Sequence, residues 1–130
     1  MCGIFGFYLK RRLDDNDIRQ GIHSTNQLSH RGPDNNGHWY NKDDGIFLGH
    51  TRLSILDPSS KSNQPFYKDN SQLVFNGEIY NHLSLKKELE KCGSKFKTTS
   101  DTEVLSEILC HKGEDALKLI DGMFAFAFYR

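Results

Sequence analysis

Short apolar runs separated by polar turns fill the first half of the chain, a pattern typical of strands. It predicts three strands, over residues 2–9, 37–40 and 45–55. Between the first two, the acidic cluster at 14–17 offers an N-cap for a helix that reaches about Leu28. The Gly-Pro pair within residues 30–34 places that segment on a loop, and the polar stretch 57–65 with its two prolines forms another loop.

The apolar pattern changes from strand-like to helix-like in the second half. Residues 72–75 predict a short strand that runs into the dipeptide Asn76-Gly77, which is typical of tight turns. A helix follows, with Asn81 as its N-cap and Gly93 as its C-terminal stop. Two leucines share one face of that helix, Leu85 and Leu89.

A second helix and a closing strand complete the pattern. Ser100 and Glu103 have the spacing of a capping box. The helix that they begin carries a core-facing stripe of Val104, Leu105, Ile108 and Leu109 and ends at Gly113. Residues 123–129 predict the strand. Strands followed by helices and then a strand indicate a two-layer or sandwich α+β domain.

The last residues lie inside a strongly apolar strand. A hydrophobic strand end of this kind would be exposed if the chain stopped there. We therefore expect the sequence to be a carboxy-terminally truncated piece of a longer protein. We find no internal repeat and no linker, so residues 1–130 are expected to form one domain.

The composition of the chain argues against several classes of function. The chain has 17 basic and 17 acidic residues, so it has no overall field to attract nucleic acid. No apolar run approaches the roughly 20 residues of a membrane span. The basic residues at the start follow the apolar ones, the reverse of a secretory signal. The three cysteines form no CxxC pair and the histidines no ligand set. We expect a cytoplasmic protein without a metal, a nucleic-acid partner or a membrane partner.

Cys2 directly follows the initiator methionine. Removal of Met1 would leave a free α-amine on the residue that carries the thiol, and the two groups titrate in neighbouring pH ranges. The amine can therefore accept the thiol proton, so that one residue supplies both nucleophile and base. The alternative is that Cys2 is a small apolar residue of a buried strand. Position alone favours this alternative.

Other residues supply what an acyl transfer from an amino-acid amide requires. Asn76 and Gly77 offer a side-chain amide and an unobstructed backbone N–H for an oxyanion hole, although an Asn-Gly pair is also a common hairpin turn. Arg52 has the planar fork that binds a carboxylate. Glu78 and Asp101 can bind an ammonium group. Each of these charges alone is more often a solvated side chain or, for Asp101, a favourable first-turn helix residue.

Seven motifs together resemble the class II glutamine amidotransferases, whose glutaminase domains are N-terminal-nucleophile hydrolases. They are, in order, MCGIFG at 1–6, HRGPD at 30–34, RLSILD at 52–57, QP at 64–65, NGEIYNH at 76–82, SDTE at 100–103 and DGMFAFA at 121–127. They span essentially the whole chain, and seven in the right order are specific. The second, third and fifth are similar to the asparagine-synthetase branch of the family.

The resemblance implies a four-layer αββα sandwich and a role for each matching residue. Cys2 is expected to form a γ-glutamyl thioester and release ammonia, with Asn76 and Gly77 as the oxyanion hole. The remaining residues are expected to bind glutamine: Arg52 its α-carboxylate, Ile55 and Leu56 through their backbone, Glu78 and Asp101 its α-ammonium group. His30, in the HRGPD loop, is interpreted as structural.

The resemblance also implies the reaction and its partners. The domain is expected to hydrolyse L-glutamine to glutamate and ammonia without a cofactor of its own. ATP and Mg²⁺ would act in a synthetase domain of the same or a partner chain, which makes asparagine; a homodimer is left open. Two alternatives remain: an amidotransferase for a glycan or natural-product acceptor, and a glutaminase-like binding module that turns nothing over.

Overall fold

The computed structural model describes residues 2–55 and 59–130. Within them the strands and helices are, in chain order, β1 (Gly3–Tyr8), α1 (Asp15–Asn26), β2 (Asn35–Asn41), β3 (Ile46–Arg52), β4 (Phe66–Lys68), β5 (Ser71–Ile79), α2 (His82–Lys91), α3 (Asp101–Lys112) and β6 (Gly122–Tyr129). Two 3₁₀ turns, Ser60–Ser62 and Gly113–Lys118, lie in the connections. None of these helices is long and apolar enough to cross a bilayer.

The strands form two antiparallel sheets that face each other. The first sheet has the order β1-β3-β2 and the second the order β4-β5-β6. Helix α1 packs on the first sheet, α3 packs on β4 and β5 of the second, and α2 packs beside α3. Strands β1 and β3 contact β5 across the interface between the sheets. The layers therefore follow the order αββα that the sequence resemblance implied.

Helix α1 begins where the acidic cluster predicted. The side chain of Asp14 accepts a hydrogen bond from the N–H of Asp17 at 2.8 Å, and the carboxylate of Asp17 accepts one from the N–H of Asp14 at 2.9 Å. This reciprocal pair satisfies two N–H groups at the helix start. Close packing on the sheet requires Gly21, because a Cβ there would lie 2.7 Å from the ring of Phe47, which is fully buried.

The main apolar core lies between the second sheet and the helices α2 and α3. The predicted stripe of α3 is buried in it, as are the two leucines on one face of α2. From β5 the core takes Leu73, Phe75 and Ile79, which lie on the same face of the strand as Gly77. Since side chains alternate across a strand, Asn76 and Glu78 point to the opposite face, towards the first sheet.

One local prediction in the second half was wrong, and one strand was missed. Asn76-Gly77 does not form a tight turn. Strand β5 continues through these two residues to Ile79, and its residues 72–79 pair with the whole of β6. The strand β4 was not predicted; it pairs with β5 through a two-residue hairpin at Asp69 and Asn70, both of which have positive φ. Positive φ at both central residues is typical of a type I′ turn.

The capping box of α3 takes a different form from the predicted one. The hydroxyl of Ser100 accepts from the N–H of Thr102 at 3.0 Å, so Ser100 is the N-cap as expected. The carboxylate of Glu103 instead accepts hydrogen bonds from the N–H groups of Lys97 and Thr98. It therefore fixes the loop before the helix. The N-cap of α2 is Asn81, as predicted, but its side chain binds the backbone at 119 and 121, just before β6.

A buried histidine joins the two sheets. His50 on β3 is fully buried, and its Nε2 donates to the carbonyl oxygen of Phe75 on β5 at 3.2 Å. Burial, reinforced by the charge of Arg52, lowers the pKa of His50 to about 4. The imidazole is therefore neutral in the folded protein near pH 7, and it titrates near its ordinary value of 6.5 in the unfolded chain.

We expect acid to destabilise the fold through His50. Between pH 6.5 and about 4, His50 binds a proton in the unfolded chain but not in the folded protein. The free energy of unfolding therefore falls as the pH falls. The loss attributable to this group approaches roughly 3 kcal/mol at pH 4. The variant His50→Gln keeps a donor for Phe75 but does not titrate. Urea unfolding at pH 7 and pH 4 should show a smaller acid loss in this variant; equal losses would contradict the inference.

Candidate active site

A cavity of about 150 Å³ opens at the ends of β1 and β3, against the edge of β5. Seven of the eight residues predicted from the sequence line it: Cys2, Arg52, Ile55, Asn76, Gly77, Glu78 and Asp101. The eighth, Leu56, lies outside the described residues. The fold thus brings together residues that are separated by up to a hundred positions along the chain.

The sulfur of Cys2 is held beside the end of β3. Strand β1 pairs antiparallel with β3, so Cys2 lies next to Arg52 and Leu53. The N–H of Leu53 donates to the sulfur at 3.4 Å, and the Nε of Arg31 donates to the carbonyl oxygen of Cys2 at 3.0 Å. Cys2 is half-buried on the cavity wall. This position contradicts the alternative of a cysteine that only fills the core.

The HRGPD loop supports this arrangement from outside the cavity. Besides the contact of Arg31, the carboxylate of Asp34 accepts from the N–H of Ser54 at 2.7 Å, and the N–H of Asp34 donates to the carbonyl oxygen of Arg52 at 2.9 Å. His30 contacts the carbonyl oxygen of Gln27 and is not part of the cavity wall. These contacts agree with a structural role for His30.

Arg52 supplies positive charge to the cavity. Its side chain is buried, and its Nη1 donates to the carbonyl oxygen of Ser59 at 2.8 Å and to Oδ1 of Asn63 at 2.6 Å. These bonds fix the guanidinium in one orientation at the wall. Arg52 is the only basic residue among the described residues that line the cavity. A planar guanidinium held in this way is suited to a carboxylate ligand.

The edge of β5 beyond Leu73 faces the cavity because β4 does not extend along it. Strand β4 pairs only with residues 71–73, and the amides of alternate residues in a strand point to the same side. The N–H of Phe75 donates to Oε1 of Gln64 at 2.6 Å, and the N–H of Ile79 donates to the carboxylate of Asp101 at 3.0 Å. Gly77 lies between them and lines the cavity. Its N–H is therefore directed into the cavity.

Asn76 and Gly77 each meet a requirement of an oxyanion hole. Asn76 lines the cavity, and its side-chain amide carries the N–H donor that an oxyanion hole requires; its Oδ1 is buried without a hydrogen-bond partner among the described residues. Gly77 has φ +153°, and a Cβ there would lie 2.2 Å from the carbonyl oxygen of Met123 on β6. Only glycine fits this position, which leaves the N–H unobstructed.

Two carboxylates lie on the wall, Glu78 and Asp101. Asp101 is the first residue of α3 and is almost fully buried, and this burial raises the pKa of its carboxyl group. The structure confirms Asp101 as a first-turn helix residue, and its place on the wall leaves its binding role a prediction. Together with Arg52, these groups give the cavity one positive and two negative side chains, an arrangement that complements a zwitterionic amino acid.

Sequence reasoning missed several residues of the wall. Gln64 belongs to one of the matching motifs but had no assigned role, and the structure shows that it binds the amide of Phe75. Other wall residues without a predicted role are Leu53, Ser62, Phe75, Ser100, Thr102 and Met123. No local sequence pattern distinguishes Gln64 or Ser62 from the other polar residues of their loop as wall residues of the cavity. Among the described residues, no group of three or more His, Cys, Asp or Glu could hold a metal ion.

Comparison with protein families and curated proteins identifies relatives of the whole chain. Residues 1–130 match a protein-family model described as a glutamine amidotransferase domain. The chain is 44% identical to asparagine synthetase [glutamine-hydrolyzing] 2 of Oryza sativa subsp. japonica, and 41% identical to asparagine synthetase [glutamine-hydrolyzing] 1 of Bacillus subtilis. Each match covers 97% of this chain but only 21% and 20% of the respective relative.

Solved structures show the same fold. The chain is similar to glutamine phosphoribosylpyrophosphate amidotransferase from B. subtilis, with a TM-score of 0.75 and 24% identity over 99% of this chain and 35% of that one. A second structure, an allosteric regulatory enzyme of purine biosynthesis, has a TM-score of 0.70 and 22% identity. These likenesses confirm the predicted α+β sandwich fold.

The close approach of β6 to Gly77 can be tested against a second glycine that also has a positive φ but lies in open space. Gly93 has φ +97°, and a Cβ there would meet nothing within 4 Å. We expect Gly93→Ala to cost about 1–2 kcal/mol, from backbone strain alone. Gly77→Ala should cost about 1–3 kcal/mol more, because its Cβ overlaps the backbone of β6. Urea unfolding measures both, and equal costs would show that β6 does not lie against Gly77.

Proposed function

Because the chain belongs to the glutamine amidotransferase domain family, in its class II branch, we propose that it hydrolyses L-glutamine to L-glutamate and ammonia with Cys2 as the nucleophile. The observation that carries this proposal is the cavity itself. Its wall combines a sulfur, a fixed guanidinium, two carboxylates and an inward-facing backbone amide. These are the groups that an amino acid with a side-chain amide requires.

The charges of the wall support one orientation of glutamine. The α-carboxylate binds Arg52, and the α-ammonium group binds Glu78 and Asp101. The side-chain amide then reaches the sulfur of Cys2, near Asn76 and Gly77. Ile55 lies at the rim of the cavity and remains a predicted substrate contact, as does Leu56.

The reaction proceeds through a thioester on Cys2. Once Met1 is removed, the α-amine of Cys2 takes the thiol proton, and the sulfur attacks the side-chain amide carbon of glutamine. The side chain of Asn76 and the N–H of Gly77 donate hydrogen bonds to the oxygen of the tetrahedral intermediate. The protonated amine gives its proton to the leaving nitrogen, the carbon–nitrogen bond breaks and ammonia departs. Water then attacks the thioester, releasing glutamate and regenerating the thiol.

The ammonia serves a synthetase unit that makes asparagine. Support comes from relatives named glutamine-hydrolyzing asparagine synthetases, of whose length this chain spans about a fifth. We assign ATP and Mg²⁺ to that unit, in the same or a partner chain, since the sequence has no phosphate-binding motif such as GxxxxGK[ST]. The cytoplasm is the compartment that suits this chemistry, and a homodimer stays a prediction.

Glutamate release from glutamine tests the proposal. Intact-mass measurement first establishes that Met1 has been removed. We expect Cys2→Ala to reduce the rate by at least roughly 10³-fold, since it removes the nucleophile. Cys92→Ala is the matched control, because this thiol is exposed on α2's C-cap and is not part of the cavity wall; it should keep the parent rate. Equal rates in the parent and in Cys2→Ala would defeat the enzymatic proposal.

A further inference from the structure

Ser62 is a buried serine of the cavity wall. Ser62 is the last residue of the 3₁₀ turn Ser60–Ser62, and only 2% of its surface is exposed. Its Oγ has no hydrogen-bond partner among the described residues, and Ser62 is one of the residues that line the cavity. Burying a hydroxyl without a partner costs free energy, so native proteins rarely keep such a group without a reason.

The surroundings of Ser62 indicate the chemistry of the missing partner. Arg52 donates one hydrogen bond to Ser59 and another to Asn63, which lie on either side of the turn that contains Ser62. The guanidinium therefore holds this turn against the cavity wall. We expect a ligand group that binds beside Arg52 and this turn to be negatively charged, because Arg52 is the only basic residue among the described residues of the wall; an anionic oxygen readily accepts a hydrogen bond from a hydroxyl.

We propose that Ser62 is a further substrate-binding residue, whose hydroxyl donates a hydrogen bond to the α-carboxylate of glutamine beside Arg52. This inference rests on the proposed glutaminase function. Arg52 supplies the charge and Ser62 an uncharged donor. In the free protein the unpartnered hydroxyl is destabilising, and the carboxylate of bound substrate would satisfy it. Ser62 thereby adds selectivity for a ligand that carries an α-carboxylate.

The chain offers a matched control in Ser106. This residue of α3 is also fully buried, and its Oγ likewise has no partner among the described residues. Ser106 does not line the cavity. Replacement of either serine by alanine removes a buried, unsatisfied hydroxyl, so we expect both variants to unfold at a temperature a few degrees higher than the parent.

The two serine variants should differ in glutamine binding. Binding is measured by titration calorimetry in a Cys2→Ala background, which prevents turnover. We expect Ser62→Ala to raise the dissociation constant of L-glutamine about tenfold to hundredfold, the effect of losing a hydrogen bond to a charged group. Ser106→Ala should leave it unchanged. The amide that lacks only the α-carboxylate, 4-aminobutanamide, should bind equally weakly to the parent and to Ser62→Ala.

The possible outcomes distinguish the role of Ser62 from the proposed glutaminase function. If the Cys2→Ala parent binds glutamine and Ser62→Ala binds it equally well, the role of Ser62 is overturned and the glutaminase proposal stands. If Ser106→Ala weakens binding as much as Ser62→Ala, the effect is a general one of repacking and the specific contact is also overturned. If the parent protein does not bind glutamine at all, the proposed function itself fails.

Discussion

The short length of β4 is the constraint on which the site depends. Because β4 pairs with only three residues of β5, the edge of β5 opposite β6 has no neighbouring strand beyond Leu73 in the described part of the chain. Exposed edge amides are normally a liability that proteins cover. Here Gln64 and Asp101 cover two of them by side-chain hydrogen bonds, and the amide of Gly77 between them faces the cavity. One backbone donor is thereby kept available without exposing the whole edge.

The charges of the site oppose the stability of the empty protein. Burial raises the pKa of Asp101, so the folded protein holds that proton more tightly than the unfolded chain does. Ionised Asp101 therefore favours unfolding at neutral pH, and this effect disappears below the ordinary pKa of the carboxyl group. The buried amide oxygen of Asn76 and the hydroxyl of Ser62 add to the cost. In the proposed binding mode, the α-ammonium group and α-carboxylate of glutamine would compensate Asp101 and Ser62, so features that destabilise the free site would favour substrate binding.

The sequence predicted the parts of the fold that depend on local patterns. Helix α1 begins at its acidic cap, and the apolar stripe of α3 is buried as expected. The Asn76-Gly77 turn was predicted wrongly because the dipeptide preference is local, whereas the partner that keeps β5 extended lies more than forty residues later in β6. Site residues were predicted where motifs identified them. Gln64 was missed because its role depends on the amide of Phe75, and Ser62 was missed because its place on the wall follows from the hydrogen bonds of Arg52 to Ser59 and Asn63, which no local pattern records.

Selective alkylation of Cys2 tests most directly whether its sulfur faces a bound glutamine. The processed protein is treated with a glutamine analogue whose side-chain amide is replaced by a chloromethyl ketone, and adducts are located by mass spectrometry. We expect one adduct, on Cys2, which excess L-glutamine prevents, while the exposed Cys92 and the partly buried Cys110 stay unmodified. Modification of Cys92 at a comparable rate, or labelling of Cys2 that L-glutamine does not slow, would contradict the assignment of this cavity as the glutamine site.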